Sequence, residues 1–128
     1  MALKEQQFKF GEMVNRLLSW LLANGYSYRF GDAWRSTDSL LVPGTDIKIS
    51  YQELLVANGK SKVKYGKHND RLAIDLLIAK DGVDLKDDEY RPIGEYWESV
   101  GGIWGGRFGV KKEDYGKKVG GDANHFEL

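Results

Sequence analysis

The stretch Leu72-Ala-Ile-Asp-Leu-Leu-Ile78 constrains this chain most. A short apolar run bounded by polar residues reads as a buried strand near the centre of a sheet. Asp75, in its middle, breaks the pattern. On a strand it shares a face with Ala73 and Leu77, while Leu72, Ile74, Leu76 and Ile78 point the other way. An ionised carboxylate in such surroundings is costly unless it is paired or bound to a metal. An ion pair with Arg71 or Arg35 is one solution and metal ligation is the other. Ala73 leaves space beside the carboxylate for either.

The chain has two histidines, and each stands near carboxylates. His68 precedes the apolar strand, and His125 follows Asp122 in the closing stretch Asp122-Ala-Asn-His-Phe-Glu-Leu128. Two imidazoles and one carboxylate, His68, His125 and Asp75, suit an open zinc site with water in the fourth position. Asp122, a short turn before His125, is then placed to take a proton from that water and pass it to a leaving amine. Arg35, just past the end of an expected strand, is the candidate cation for the developing oxyanion. Other chemistries find less support. Cysteine is absent, which excludes disulfides, cysteine-zinc sites and a thiol nucleophile. Gly101-Gly102 and Gly105-Gly106 lack the lysine and the strand-to-helix setting of a phosphate loop.

Along the rest of the chain, residues 5–24 carry Phe10, Val14, Leu17, Leu18, Leu21 and Leu22 at three-and-four spacing, which predicts an amphipathic helix. Gly11 weakens its first turns and implies a late start, and Asn24-Gly25 supplies the stop. Tyr26-Ser-Tyr-Arg-Phe30 alternates as a half-buried strand does. The chain then reads as irregular to Ile49, with a turn at Pro43-Gly44, and is a candidate binding rim. Ser50 and Glu53 form a capping box for a short helix ending at Asn58-Gly59. Lys60, Lys62, Lys64 and Lys67 make a basic loop. Pro92 opens a helix that packs Ile93, Tyr96, Trp97 and Val100. Trp104 either joins the core or floors a groove. Residues 109–121, rich in glycine and lysine, are expected to form a flexible excursion or lid. A final strand over 124–128 is anchored by Phe126 and Leu128.

Composition narrows the partners. Lys and Arg number 19 against 19 Asp and Glu, so no net field favours nucleic acid or an anionic membrane. At 128 residues a single domain is expected. Leu17 to Ala23, the one stretch that could pass for a targeting signal, is too short to span a bilayer. It has no cleavage site after it, so cytoplasmic synthesis without a signal peptide is expected, and no membrane insertion.

Three segments carry a family resemblance: Gly31-Asp-Ala-Trp-Arg35-Ser, Lys67-His-Asn-Asp-Arg-Leu-Ala-Ile-Asp75-Leu, and Asp122-Ala-Asn-His-Phe-Glu127. Together they resemble the signature blocks of the zinc D-Ala-D-Ala carboxypeptidase and endopeptidase family. The branch they look most like is the phage endolysin type, L-alanyl-D-glutamate peptidases that cut peptidoglycan stem peptides. The segment from Ile93 to Gly106 is also similar to that branch. The resemblance implies a small single α+β domain, residues 1–128, with helices packed on a mostly antiparallel sheet, as in D,D-peptidases and hedgehog domains. It implies zinc on His68, Asp75 and His125, Asp122 as general base, and Arg35 holding the substrate carbonyl or carboxylate. A monomer acting on stem peptides is implied, held in the bacterial cytoplasm until the membrane is permeabilised.

Gly66 departs from the pattern, because many relatives carry a serine two residues before the first histidine. Residues 37–49 look inserted. Two alternatives stay open: a D-Ala-D-Ala carboxypeptidase, and a non-catalytic wall-binding or structural phage protein that keeps the zinc fold. Asp122 argues against the second, since a mere binder has no use for a base beside the water.

Overall fold

The computed structural model describes residues 1–34 and 66–128, together with the backbone of two short strands at 39–41 and 48–50. In chain order these form helix α1 (Leu3–Ala23), strand β1 (Tyr26–Phe30), strands β2 (Ser39–Leu41) and β3 (Lys48–Ser50), strands β4 (Ala73–Lys80) and β5 (Val83–Asp84), helix α2 (Arg91–Ser99), and strands β6 (Ile103–Trp104) and β7 (His125–Glu127). Single 3-10 turns occur at Asp87–Tyr90, Gly105–Arg107 and Lys112–Asp114. The architecture is α+β, with the two described helices on an antiparallel sheet. None of the described helices is long and apolar enough to cross a membrane.

β4 is the hub of the sheet, whose order is β1-β4-β7-β6 with β5 beside β4. β1 runs antiparallel along one edge, Tyr26 opposite Lys80 and Phe30 opposite Leu76. The other edge is shared: β7 takes Ala73 to Asp75, and β5 takes Ala79 and Lys80. Between them the strand would show unpaired backbone groups, which are costly to bury. Tyr90 fills the gap. Its hydroxyl accepts from the Ile78 N–H at 3.0 Å and donates to the Leu76 carbonyl at 3.1 Å.

Alternation along β4 separates core from site. Leu72, Ile74, Leu76 and Ile78, with Phe126 of β7 and Trp104 of β6, form a core with Phe10, Met13, Leu17 and Leu21 of α1 and Ile93 and Trp97 of α2. The opposite face carries Ala73, Asp75 and Leu77, with His125 and Glu127 opposite. The α1 stripe differs slightly from expectation. Met13 is buried and Leu22 is 62% exposed, because positions 10, 13, 17 and 21 lie on one line of the helix. The helix also starts at Leu3, since burial of Phe10 and Met13 on either side of Gly11 outweighs one weak helix former.

Two further expectations change, and the choice left open for Trp104 is settled. The stretch expected to be irregular before Ile49 contains an antiparallel pair, Ser39 opposite Ser50 and Leu41 opposite Lys48. Trp104 is fully buried and so belongs to the core, with its ring against Gly94 and Gly106. The 109–121 excursion is tied down. Arg107 lies over the rings of Trp104 and Tyr115 at 4.9 and 4.6 Å and pairs with Glu98 at 3.0 Å. Arg107 and Arg91 both donate to the Tyr115 carbonyl. Such a clamp is the opposite of a loose lid. The expected helix over 50–59 and the lysines at 60, 62 and 64 lie outside the described residues.

The tryptophan cradle gives a direct test. A Cβ on Gly94 would stand 2.0 Å from the Trp104 ring, whereas one on Gly11 meets nothing within 4 Å. Gly94→Ala is expected to cost about 1–3 kcal/mol by overpacking. Gly11→Ala, in an open helical position, is expected to add up to about 1 kcal/mol. Urea unfolding of both variants checks the pair, and equal midpoints would contradict the packing described.

Candidate metal centre

Three local arrangements deliver the site. His68 sits in the turn that leads into β4. The turn is closed by Asn69 Oδ1 accepting from the Gly66 N–H at 2.7 Å and by the Leu72 N–H donating to the Lys67 carbonyl at 2.9 Å. Arg71 completes it with φ 59°, a left-handed conformation unusual for a residue other than glycine. Its guanidinium lies over the Trp34 ring at 4.7 Å. Gln7 of α1 donates to the Asp70 carbonyl at 2.8 Å and fastens the turn to the helix.

Asp75 and His125 are direct cross-strand partners, so their side chains leave the sheet on one face. Beside Asp75, the Gly31 N–H donates to its carbonyl and its N–H donates to the Asp32 carbonyl, both at 2.8 Å. A Cβ on Gly31 would lie 3.1 Å from Asp75 Cβ, so glycine permits this close approach. The 122–125 turn is fixed from three sides. Leu76 N–H donates to the Asn124 carbonyl, the buried Trp104 indole N–H donates to the Ala123 carbonyl at 2.7 Å, and Gly105 packs where any Cβ would strike Asp122.

These elements bring His68, Asp75 and His125 together, with one donor atom from each lying within 4.8 Å of the others. His68 Nε2 is 3.2 Å and His125 Nδ1 is 3.1 Å from Asp75 Oδ1. The imidazoles are buried at 6% and 7% exposure. Their outer nitrogens are also engaged. His68 Nδ1 faces the Ala33 carbonyl at 3.4 Å, and His125 Nε2 faces Glu127 Oε1 at 2.9 Å. A carbonyl or carboxylate only accepts, so each outer nitrogen carries the proton in these contacts. In neutral rings the inner nitrogens then present lone pairs toward Asp75. Among the described residues, His68 Nε2 is buried with no hydrogen-bond partner. Two lone pairs and a carboxylate oxygen facing one another suit a cation between them.

A divalent ion meets that requirement. Zinc bonds of about 2.0–2.1 Å in tetrahedral array set neighbouring ligand atoms about 3.3 Å apart, close to the two separations found here. The donor set of two imidazoles and one carboxylate is also that of an open zinc site. This is therefore a cluster that could hold a metal ion. Without metal, a proton must serve. Burial opposes charge on His125, but the hydrogen bonds to Asp75 and Glu127 and the nearby Asp122 outweigh it and raise its pKa from 6.5 to about 9. Burial likewise opposes charge on Asp75, yet the two histidines hold its pKa down from 3.8 to about 2.

Asp122 lies at the rim, 53% exposed, its Oδ2 4.0 Å from His125 Nδ1. Phe108 packs its ring 5.5 Å from the His125 ring on the outer side. Of the two ion-pair partners considered for Asp75, Arg71 instead covers Trp34, and Arg35 lies outside the described residues. Glu127 and the Ala33 carbonyl had no role in the sequence reading. The signal for Glu127 was available: two positions beyond His125 on one strand, it must share the same face.

No family model and no curated protein sequence matches this chain. Among solved structures, the fold is similar to that of the Serratia marcescens L-Ala D-Glu endopeptidase ChiX. The TM-score is 0.59 at 21% identity, over 92% of this chain and 78% of the other. At that identity the likeness establishes a shared fold.

The metal-free protein should show the charge balance of the site in its stability. His125 binds its proton more tightly when folded, so its contribution is complete below 6.5 and is lost as pH rises through about 9. Asp75 contributes above 3.8 and loses that contribution as pH falls through about 2. Melting temperature measured in chelator is expected to peak between 3.8 and 6.5 and to fall on both flanks. A profile level through the alkaline flank would contradict the protonated His125 bridge.

Proposed function

We propose that this protein is a zinc-dependent peptidase that hydrolyses the L-alanyl-D-glutamate bond of peptidoglycan stem peptides, as an endolysin does. The observation that carries the reading is the convergence of His68 Nε2, His125 Nδ1 and an Asp75 oxygen, with the outer nitrogens held by acceptors. The fold shared with an enzyme named for this cleavage supports the substrate assignment. His68, Asp75 and His125 are the proposed ligands. Zinc there supplies Lewis-acid polarisation of the scissile carbonyl and lowers the pKa of a water.

The remaining work falls to the chain. Asp122 stands at the solvent side of the cluster, where its carboxylate can take a proton from the attacking water. The same proton then passes to the nitrogen of D-glutamate as the amide bond breaks. The products are an L-alanine carboxylate and a free amine on D-glutamate. Arg35 is proposed to hold the substrate carbonyl or carboxylate, by the resemblance noted above. The protein is proposed to act as a monomeric single domain, reaching the wall from the bacterial cytoplasm once the membrane is permeabilised.

The test is lysis of purified cell walls with and without a chelator, with mass spectrometry of the released peptides. Chelator-sensitive lysis that leaves new D-glutamate amino termini is expected. Loss of a single terminal alanine would overturn the bond assignment in favour of a carboxypeptidase, and no cleavage with zinc bound would favour a non-catalytic binder. Asp122→Ala is expected to keep zinc and melting temperature while losing about 10²–10⁴-fold in rate, the usual worth of a general base. Undiminished lysis by that variant would remove Asp122 from the mechanism. His68→Ala is expected to lose both the metal and the stability that metal binding adds, read as zinc content and melting temperature of the loaded protein.

A further inference from the structure

Glu127 is a largely buried carboxylate, its side chain 14% exposed, that the proposed reaction does not use. Among the described residues its polar partner is His125 Nε2, at 2.9 Å. Its backbone is fixed independently of that contact. Glu127 pairs with Ala73 of β4 and Ile103 of β6, and its carbonyl accepts from the Trp97 indole N–H at 3.0 Å. The carboxylate is thus delivered to His125 by the sheet and by a fully buried tryptophan.

We infer that Glu127 is a positioning residue for the metal: it holds the proton of His125 on Nε2 and so keeps Nδ1 turned toward Asp75 as a ligand. The inference rests on the metal reading above and extends it to a residue outside the ligand set. The two histidines differ in this respect. His68 leans on a neutral carbonyl at 3.4 Å, a long contact, whereas His125 has a charged acceptor at 2.9 Å. A carboxylate behind an imidazole orients the ring and makes its other nitrogen a better donor to a metal. The polarising partner therefore sits behind the ligand brought by the chain's last strand. That strand pairs with β4 over three residues.

Zinc affinity of the full chain, measured by chelator competition for wild type, Glu127→Gln and Glu127→Ala, tests the inference. The visible spectrum of the cobalt-substituted proteins and the melting temperature of the metal-free forms accompany it. Glu127→Ala is expected to bind zinc about 10–100-fold more weakly, the usual cost of removing such a partner, with shifted cobalt bands. Glu127→Gln, which keeps an acceptor oxygen without the charge, is expected to fall between the two and decides the matter if the alanine variant does not fold. Zinc affinity unchanged in Glu127→Ala, or lost equally in both variants, would overturn the positioning role while leaving the proposed function standing. A wild-type protein that takes up neither zinc nor cobalt would overturn both.

Discussion

The confrontation of Asp75 with two imidazoles on one face of the sheet is the constraint on which the rest depends. Strand β4 must be apolar to build the core, yet it carries an acid at its centre. The acid is tolerable because register sets it opposite His125 and the preceding turn sets it against His68. Both rings present their inner nitrogens at a little over 3 Å, a range at which a cation reconciles two lone pairs with a carboxylate. A proton answers the demand for His125, while His68 Nε2 is buried with no hydrogen-bond partner among the described residues. A divalent ion answers it for all three.

Much of the remaining structure can be understood as support for that arrangement. The helices, Leu72 and three apolar positions of β4 fill one face, which leaves the other free for chemistry. The tryptophans reach across this division. Trp104 packs in the core but spends its indole N–H on the turn that carries Asp122 and His125, and Trp97 does the same for Glu127. Glycines at 94, 102, 105 and 106 are the spaces that let these rings and the turn approach so closely. Asp75 and His125 therefore sit on paired strands, and His68 and Asp122 sit on turns pinned to the helix and the core.

The sequence disclosed the candidate ligands more readily than their setting. Two histidines in the whole chain and one acid in its most apolar strand leave few combinations, so His68, Asp75 and His125 could be named before any geometry. Their mutual register could not, because nothing local says which residue of β7 stands opposite Asp75. Glu127 escaped notice although the strand expected over 124–128 already set it on the face of His125, because a glutamate near a chain end reads as solvated surface. The β2–β3 pair was missed because strands of three residues are too short to show alternation. The expected lid failed for a related reason. Glycine and lysine between 109 and 121 suggest looseness, but the ties come from Arg91 and Arg107, outside that stretch. Tyr90 as a substitute strand partner has no sequence signature at all.

The most direct measurement is anomalous diffraction at the zinc edge from crystals grown with the metal. The account predicts one strong peak within bonding distance of His68 Nε2, His125 Nδ1 and an Asp75 carboxylate oxygen, with Glu127 still on His125 Nε2. A peak bound elsewhere on the chain, or one that touches a single member of the three, would contradict it.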